Sequence, residues 1–363
     1  VVHQKGLRFG FTFLFPQFLK GVVMVHLTKA SRELFRREPD ETFSSIDSLV
    51  EHCRHEHETS VDHWLSPTTL STKPVHADQL VLTSGDDQSY HMNDWSFGQL
   101  CRLAGVTKET VNRLSSETAA RVFTETLPRG NKPLQVLVTG SQARSDHGAS
   151  YTRLFNAELL DTVLDVADGF EPPPEGLGGA TGLYCGEQDM FCFLIDPGGW
   201  TEIGGEAFAP GFFLWNSEVG RRSLGIQTFW FQAICQNHLV WDAVEVVEFK
   251  RKHTTNVRDS LVEIQRIVGD LVARRDERRD GFSRAIDKAM RTQLGDDADE
   301  VLKMLRQRGI NAKMAREAID LAQGRFTIFA MVDALTRLAG RIRNAGDRFE
   351  VDQRTGSLLA LAV

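Results

Sequence analysis

The chain has 363 residues, 41% of them hydrophobic and 25% charged, with a formal net charge of −7. This is ordinary globular composition at a length that suits two or three domains of about 100–200 residues each, and it excludes a largely disordered chain, a collagen and a multi-span membrane protein. The acidic balance excludes a basic protein of histone type, although a local basic groove remains compatible with it. The five cysteines (Cys53, Cys101, Cys185, Cys192 and Cys235) are odd in number and include no CxxC pair. No disulfide framework is expected, and buried apolar roles in a reducing, cytoplasmic setting are.

Residues 1–23 place an apolar stretch, 9–19, behind Lys5 and Arg8. It lacks a small-x-small cleavage site, Pro16 and Lys20 interrupt it, and it is shorter than the roughly 20 apolar residues that span a bilayer. No membrane partner is expected. Met24 opens an ordinary-looking start, so 1–23 reads as a non-native or disordered extension.

Residues 47–64 suit an amphipathic helix with Leu49, Val50 and Cys53 near one face. His52, His55, His57 and His63 crowd there, and Cys53 stands between the first two. Ligands must converge on a metal, whereas these side chains fan around the helix among Glu51, Glu56 and Glu58, so no metal site is expected. Residues 65–92 are rich in Ser, Thr, Pro, Asp and Gly and read as irregular, with one strand at 79–83. The stretch SFGQLCRLAGVTKETVNRL (96–114) has the pattern of a helix-turn-helix: Leu100, Leu103 and Ala104 on one face, Gly105 at the turn, then Val106, Val111 and Leu114. Its second helix would expose Lys108, Glu109, Asn112 and Arg113.

LQVLVTG predicts a strand, followed by a turn-rich stretch, SQARSDHGAS. Asn156 is the expected N-cap of the helix AELLDTVLDVAD. Residues 169–182 read as a loop whose glycines match neither GxGxxG nor a P-loop. DMFCFLID suits a buried strand, and GFFLWNSEVGRRSLGIQTFWF reads as strand, turn, strand with a hairpin tip at 216–220. From about His253 the character is helical. Val257, Leu261, Ile264, Val268 and Leu271 form a seam, the next turns (ARRDERRD) are charge-laced, helices bounded by Gly309 and Gly324 follow, and the apolar end SLLALAV docks. The expected class is α+β: a central antiparallel or mixed β-rich core flanked by helices, with a mainly helical C-terminal region. The expected segments are the 1–23 extension, an N-terminal region 24–130 with the helix-turn-helix-like pair, an α+β core 131–252 and a helical region 253–363.

Taken together, GQLCRLAGVTKETVNRL, YTRLFNAELL, FLWNSEVGRRSLGIQTFWFQAICQNHLVW and the KRKH step resemble the phage/plasmid-like protein family, also called domain of unknown function 932, over roughly residues 27–345. NSEVG…CQNHLVW is the most specific block. The resemblance brings no established activity. Its mobile-element setting implies DNA metabolism, and the core is similar to ring-forming single-strand annealing proteins, which implies a homo-oligomer acting in recombination.

Two constellations could carry chemistry. Pairing of the strands around the 216–220 turn could bring Glu218 to His238, with Asp189 and Glu187 nearby, for acid–base work or a metal-dependent nuclease or hydrolase. Turn-fixing roles compete with that reading, and no HExxH, DxD or GxSxG signature supports it. Single-stranded nucleic acid needs cations and stacking faces. Tyr151, Arg153, Arg221, Arg222, Lys250, Arg251 and Lys252 supply a basic track, Lys108 and Arg113 a second one on the helical pair, and Trp215 or Trp230 the stacking face. Charged hairpin tips and core tryptophans are the plain alternative. The leading expectation is a nucleic-acid-binding protein with single-stranded DNA as its partner and without a cofactor. The rivals are the metal-dependent enzyme and an oligomeric structural or regulatory protein that uses the 257–272 seam.

Overall fold

A computed structural model describes residues 33–76, 78–85, 88–174, 182–233, 237–239, 249–254 and 256–362. The extension 1–23 and Cys235 lie outside the described residues. The α+β class holds: the described residues form two antiparallel or mixed sheets with helices, and a helical C-terminal region.

Strand β1 (Glu41–Thr42) leads into helix α1 (Ile46–Glu58), where the Ser45 side chain accepts the Ser48 amide in a capping box. The expected helix over 47–64 stops at Glu58, because Ser60–Leu65 (β2) pairs along its length with a strand from Leu134–Thr139. Long-range pairing there overrides local helical pattern. The stretch read as mostly irregular holds three strands, β3 (Ser71–His76), β4 (Gln79–Thr83) and β5 (Ser89–Met92). Only β4 was expected. β3 lies at the sheet edge, where Pro74 costs no shared hydrogen bond.

Helix α2 (Asp94–Leu103) turns at Gly105 into α3 (Lys108–Val111), and α4 (Ser116–Thr126) follows. Gly105 has φ +68°, as the turn requires. The second helix of the expected pair is a single turn, too short to lie in a DNA groove as a recognition helix. Asn112, expected on its exposed face, is buried: its amide accepts the Phe35 N–H (2.8 Å) and donates to the Phe35 carbonyl (2.7 Å).

β6 (Leu134–Thr139) and β7 (Gln142–Gly148) form a hairpin, so most of the stretch read as turn-rich is strand. The six-stranded sheet runs β2-β6-β7-β5-β4-β3, with β5 and β7 parallel. It therefore draws strands from both sides of the expected 130/131 boundary. Leu80, Leu82, Val136 and Val138 cover Phe97, Leu100 and Phe123 of α2 and α4.

The second sheet follows α5 (Asn156–Leu164). It contains β8 (Leu183–Cys185), β9 (Met190–Ile195), β10 (Thr201–Ile203), β11 (Glu206–Asn216), β12 (Leu224–Gln232), β13 (Asn237–Leu239) and β14 (Phe249–Arg251). Its order is β1-β8-β9-β11-β12-β13, with β10 on β11 and β14 on β12. Alternation divides its faces. Met190, Cys192, Leu194, Phe212 and Leu214 meet α1, α5 and α6 (Ser260–Ala273). Phe191, Phe193, Phe213, Trp215 and Phe229 form an aromatic layer on the other side, where Phe193 and Phe213 stack at 4.7 Å.

The seam predicted at 257–271 is real but closed within the chain. Val257, Ile264, Val268 and Leu271 are buried in the core with α5. Helices α7 (Arg275–Arg291), α8 (Ala298–Gln307), α9 (Ala312–Ala322), α10 (Ile328–Ala339) and α11 (Ala345–Gly356) complete the chain. α7–α10 pack a core that receives Leu358, Leu359 and Ala362 of the docked C-terminal end. That core reaches the sheet through Phe208 and Trp230, and Trp230 stacks on Phe282 at 4.1 Å. α11 instead lays Ala345 and Phe349 on the aromatic layer.

The turn at Gly105 yields a prediction. A Cβ there meets nothing within 4 Å, so only backbone strain opposes substitution. Gly105→Val should lower unfolding free energy by about 1–3 kcal/mol, and Gly105→Asn by less, because asparagine tolerates left-handed backbone. Equal denaturant midpoints for wild type and the valine variant would refute this.

Candidate functional site

The NSEVG turn between β11 and β12 is where the two sheets are fastened together. Asn216 Nδ2 donates to the Leu154 carbonyl and to Asn156 Oδ1, both at 2.9 Å. Ser217 Oγ donates to the Gln188 carbonyl (2.6 Å) and accepts the Arg221 amide (2.8 Å). Glu218 Oε1 accepts the Asn156 N–H (2.7 Å), and its Oε2 lies 3.0 Å from Arg144 Nη1 on β7. The Val219 carbonyl meets Trp95 Nε1 (2.8 Å) and His147 Nε2 (3.0 Å). Gly220 has φ +73°, and a Cβ on it would stand 2.5 Å from the His147 ring. Every position of this turn thus has a partner or a steric reason. Asn156, expected as the N-cap of α5, is its first helical residue instead. The anion at that helix end is Glu218, brought from the turn, where a carboxylate complements the helix dipole.

Two of the predicted nucleic-acid contacts belong to the same knot. Tyr151, half-buried, donates through its hydroxyl to the Ser217 and Glu218 carbonyls (3.2 and 3.0 Å). Arg153 is buried, donates to the Glu218 carbonyl and forms a bidentate pair with Asp62 on β2 (Nη2–Oδ1 2.7 Å). Tyr151 stacks on His147 at 3.8 Å and lies 5.4 Å from the His253 ring.

Glu218 and His238 are not brought together. His238 pairs with Phe231, seven residues along β12 from Leu224, which places it about 20 Å up the strand from the turn. Asp189 is buried and accepts from Arg222 Nε at 3.0 Å. Burial raises its pKa and the Arg222 charge opposes that rise. Burial also raises Glu187, to about 7. Arg222 further reaches Glu350 at 3.4 Å.

The remaining cations divide by exposure. Arg221 is half-buried at the turn, while Arg251 and Lys252 are exposed. β14 pairs antiparallel with the start of β12, Arg251 opposite Leu224 and Lys250 opposite Gly225, so these residues flank the turn. Arg251 Nε donates to Ser260 Oγ (3.2 Å). Lys108 is bonded to Asp94 (2.6 Å), and exposed Arg113 turns back on the Glu109 carbonyl (2.9 Å). Trp215 and Trp230 are core residues at 1% exposure, so neither offers a stacking face. Trp64 on β2 does, at 54%. Among the described residues, one group has metal-ligating character: His52, Glu56 and Cys185.

Sequence reading missed Asp62, Arg144 and His147. Asp62 stood in a presumed helix and the other two in a presumed turn. Residues 142–148 (QARSDHG) hold one apolar residue, Ala143, so no apolar alternation marks that strand in the sequence.

A family model for a domain of unknown function, DUF932, matches residues 147–355. The chain belongs to this family. The matched span covers the NSEVG knot, the eight-stranded sheet from β8 onward and the C-terminal helices; GQLCRLAGVTKETVNRL lies outside it. No match was found among curated proteins or among solved structures. Among the described residues, no helix is long and apolar enough to cross a membrane.

The ring stack makes the knot pH-sensitive. Burial lowers His147 and His253 from 6.5 to about 4, with the Arg153 charge adding to the effect. The unfolded chain therefore binds more protons between pH 4 and 6.5. The stability tied to neutral imidazole is complete above about 6.5 and is lost as pH falls toward about 4. Over that window the wild type should lose up to about 3 kcal/mol relative to His253→Phe, measured by denaturant melts at each pH. Parallel stability curves would show that folding leaves the His253 proton affinity unchanged.

Proposed function

We propose that the chain binds single-stranded nucleic acid along the edge formed by β14 and the 217–223 turn. Arg221, Arg251 and Lys252 contact phosphates, and Trp64 offers a face on which a base stacks. One observation carries this reading: β14 returns to the turn end of β12 and leaves Arg251 and Lys252 exposed beside Arg221, while Arg153 and Arg222 are engaged with carboxylates. The Thr152 N–H to His253 carbonyl bond (3.2 Å) and the Arg153–Asp62 pair lead from this edge to β2. Asp62 and Trp64 share a face of β2 by alternation. A cationic track beside an exposed aromatic is the combination that sequence-tolerant single-strand binding uses. The phage- and plasmid-like resemblance supports a DNA role in recombination or annealing, in a homo-oligomer. The metal-dependent nuclease loses its supporting geometry, because Glu218 and His238 stand apart.

A salt series on the full chain, with single- and double-stranded DNA and RNA, tests this. Arg221→Ala/Arg251→Ala/Lys252→Ala should weaken single-strand binding and reduce the magnitude of the log–log salt slope by about 2, near 0.7 per lost phosphate contact. Trp64→Ala should weaken binding by about 1–3 kcal/mol with the slope retained. An unchanged slope in the triple variant would remove this edge from the reading, and absence of binding at low salt would remove the reading itself.

A further inference from the structure

We propose that His52, Glu56 and Cys185 bind a divalent transition-metal ion of the zinc class. His52 and Glu56 are four residues apart and share one face of α1. Cys185 ends β8, where it stands opposite Glu41 of β1. One donor atom from each of the three lies within 4.8 Å of the other two, and His52 Nε2 is 3.7 Å from Glu56 Oε2. Donors around a tetrahedral zinc, at bond lengths of about 2.0–2.3 Å, stand roughly 3.3–3.7 Å apart, so small side-chain movements close the site. An imidazole nitrogen, a thiolate and a carboxylate are the borderline-soft set that selects zinc-like ions over magnesium or calcium.

The surroundings support the donors. His52 Nδ1 faces Glu41 Oε2 at 3.8 Å, and a carboxylate behind the imidazole is the common outer partner of a metal-bound histidine. Cys53, buried on α1, hydrogen-bonds with Cys185 and fixes its side chain without joining the donor group. Glu56 Oε2 is buried and accepts no hydrogen bond; the Arg144 guanidinium lies 3.4 Å away and also serves Glu218. Two carboxylates, Glu56 and Glu218, thus share one arginine beside the group, and Glu41 adds a third behind His52. Binding replaces the Cys185 thiol proton by the dication and releases that proton, adding one net positive charge where carboxylates are in excess. Access is from the His52 and Glu56 side, since both are half-buried while Cys185 is buried. The ion would staple α1 to β8 and so hold the short β1–β8 edge. The site lies apart from the cationic edge proposed for nucleic acid and does not depend on that reading.

Cobalt(II) titration of the chelator-stripped full chain, kept reduced with a phosphine, tests the site. One equivalent should produce a thiolate-to-cobalt charge-transfer band and intense visible bands of tetrahedral cobalt. Zinc should bleach both and raise the thermal midpoint. Cys185→Ser should abolish the charge-transfer band. His52→Ala, at a half-exposed position that folding tolerates, should weaken cobalt affinity by roughly a hundredfold or more. His55→Ala, exposed on another face of the same helix, should leave affinity unchanged. No charge-transfer band in the folded wild type, a band that persists in Cys185→Ser, or an equal loss in His52→Ala and His55→Ala would overturn the proposal.

Discussion

The Glu218 carboxylate is the interaction on which the arrangement of the two sheets depends. It binds the first amide of α5 with one oxygen and faces Arg144 of the six-stranded sheet with the other. It is 2% exposed and Arg144 is 4%, so neither charge has water to fall back on. Breaking such a buried pair by removing one partner costs about 3–5 kcal/mol, because the survivor stays buried and unpaired. The carbonyls of the same turn hold Tyr151, Arg153, Trp95 and His147, so one five-residue segment gathers β2, β7, α2 and α5.

Outside this knot, stability is apolar and layered. The eight-stranded sheet is covered on both faces, which is why β9, β11 and β12 read as nearly continuous apolar runs rather than as alternating ones. Alternation nonetheless sorts their side chains, with Met190, Cys192, Leu194, Phe212 and Leu214 toward α1, α5 and α6, and a mainly aromatic set, Phe191, Phe193, Phe213 and Trp215, toward α11. The helical bundle joins this sheet mainly through Phe208, Trp230 and Phe282, and edge-to-face and stacked rings add specificity to that contact.

The same construction bears on function. A cation that organises a buried network is unavailable to a ligand, and Arg153 and Arg222 are of this kind. Arg251 at the end of the short strand β14 and Lys252 just after it are exposed instead. The NSEVG block, the most specific part of the family resemblance, is accounted for as a fastening device. A family can share such a block because the fold needs it, whatever the chain binds.

Much of the architecture was legible from residues alone. The β9 and β11–β12 strands, the turn at Gly105, the stop at Gly309, the Asn311 cap of α9 and the docked C-terminal end all follow from local pattern, since apolar period and cap chemistry act within a few residues. Positions set by distant partners were not. β2 was read as helix and β7 as turn because only pairing across the six-stranded sheet makes them strands. Glu218 was grouped with His238 by closeness in sequence, yet strand register holds them apart and brings Arg144 and Asn156 in their place. His52 was weighed with His55, its neighbour along the helix, whereas the chain fold supplies Glu56 one turn on and Cys185 from another strand. Local chemistry determined the strands of the apolar sheet, the C-terminal helices and their buried faces. Only tertiary structure decided which charges and donors meet, because those meetings depend on register and chain path, which residue spacing does not encode.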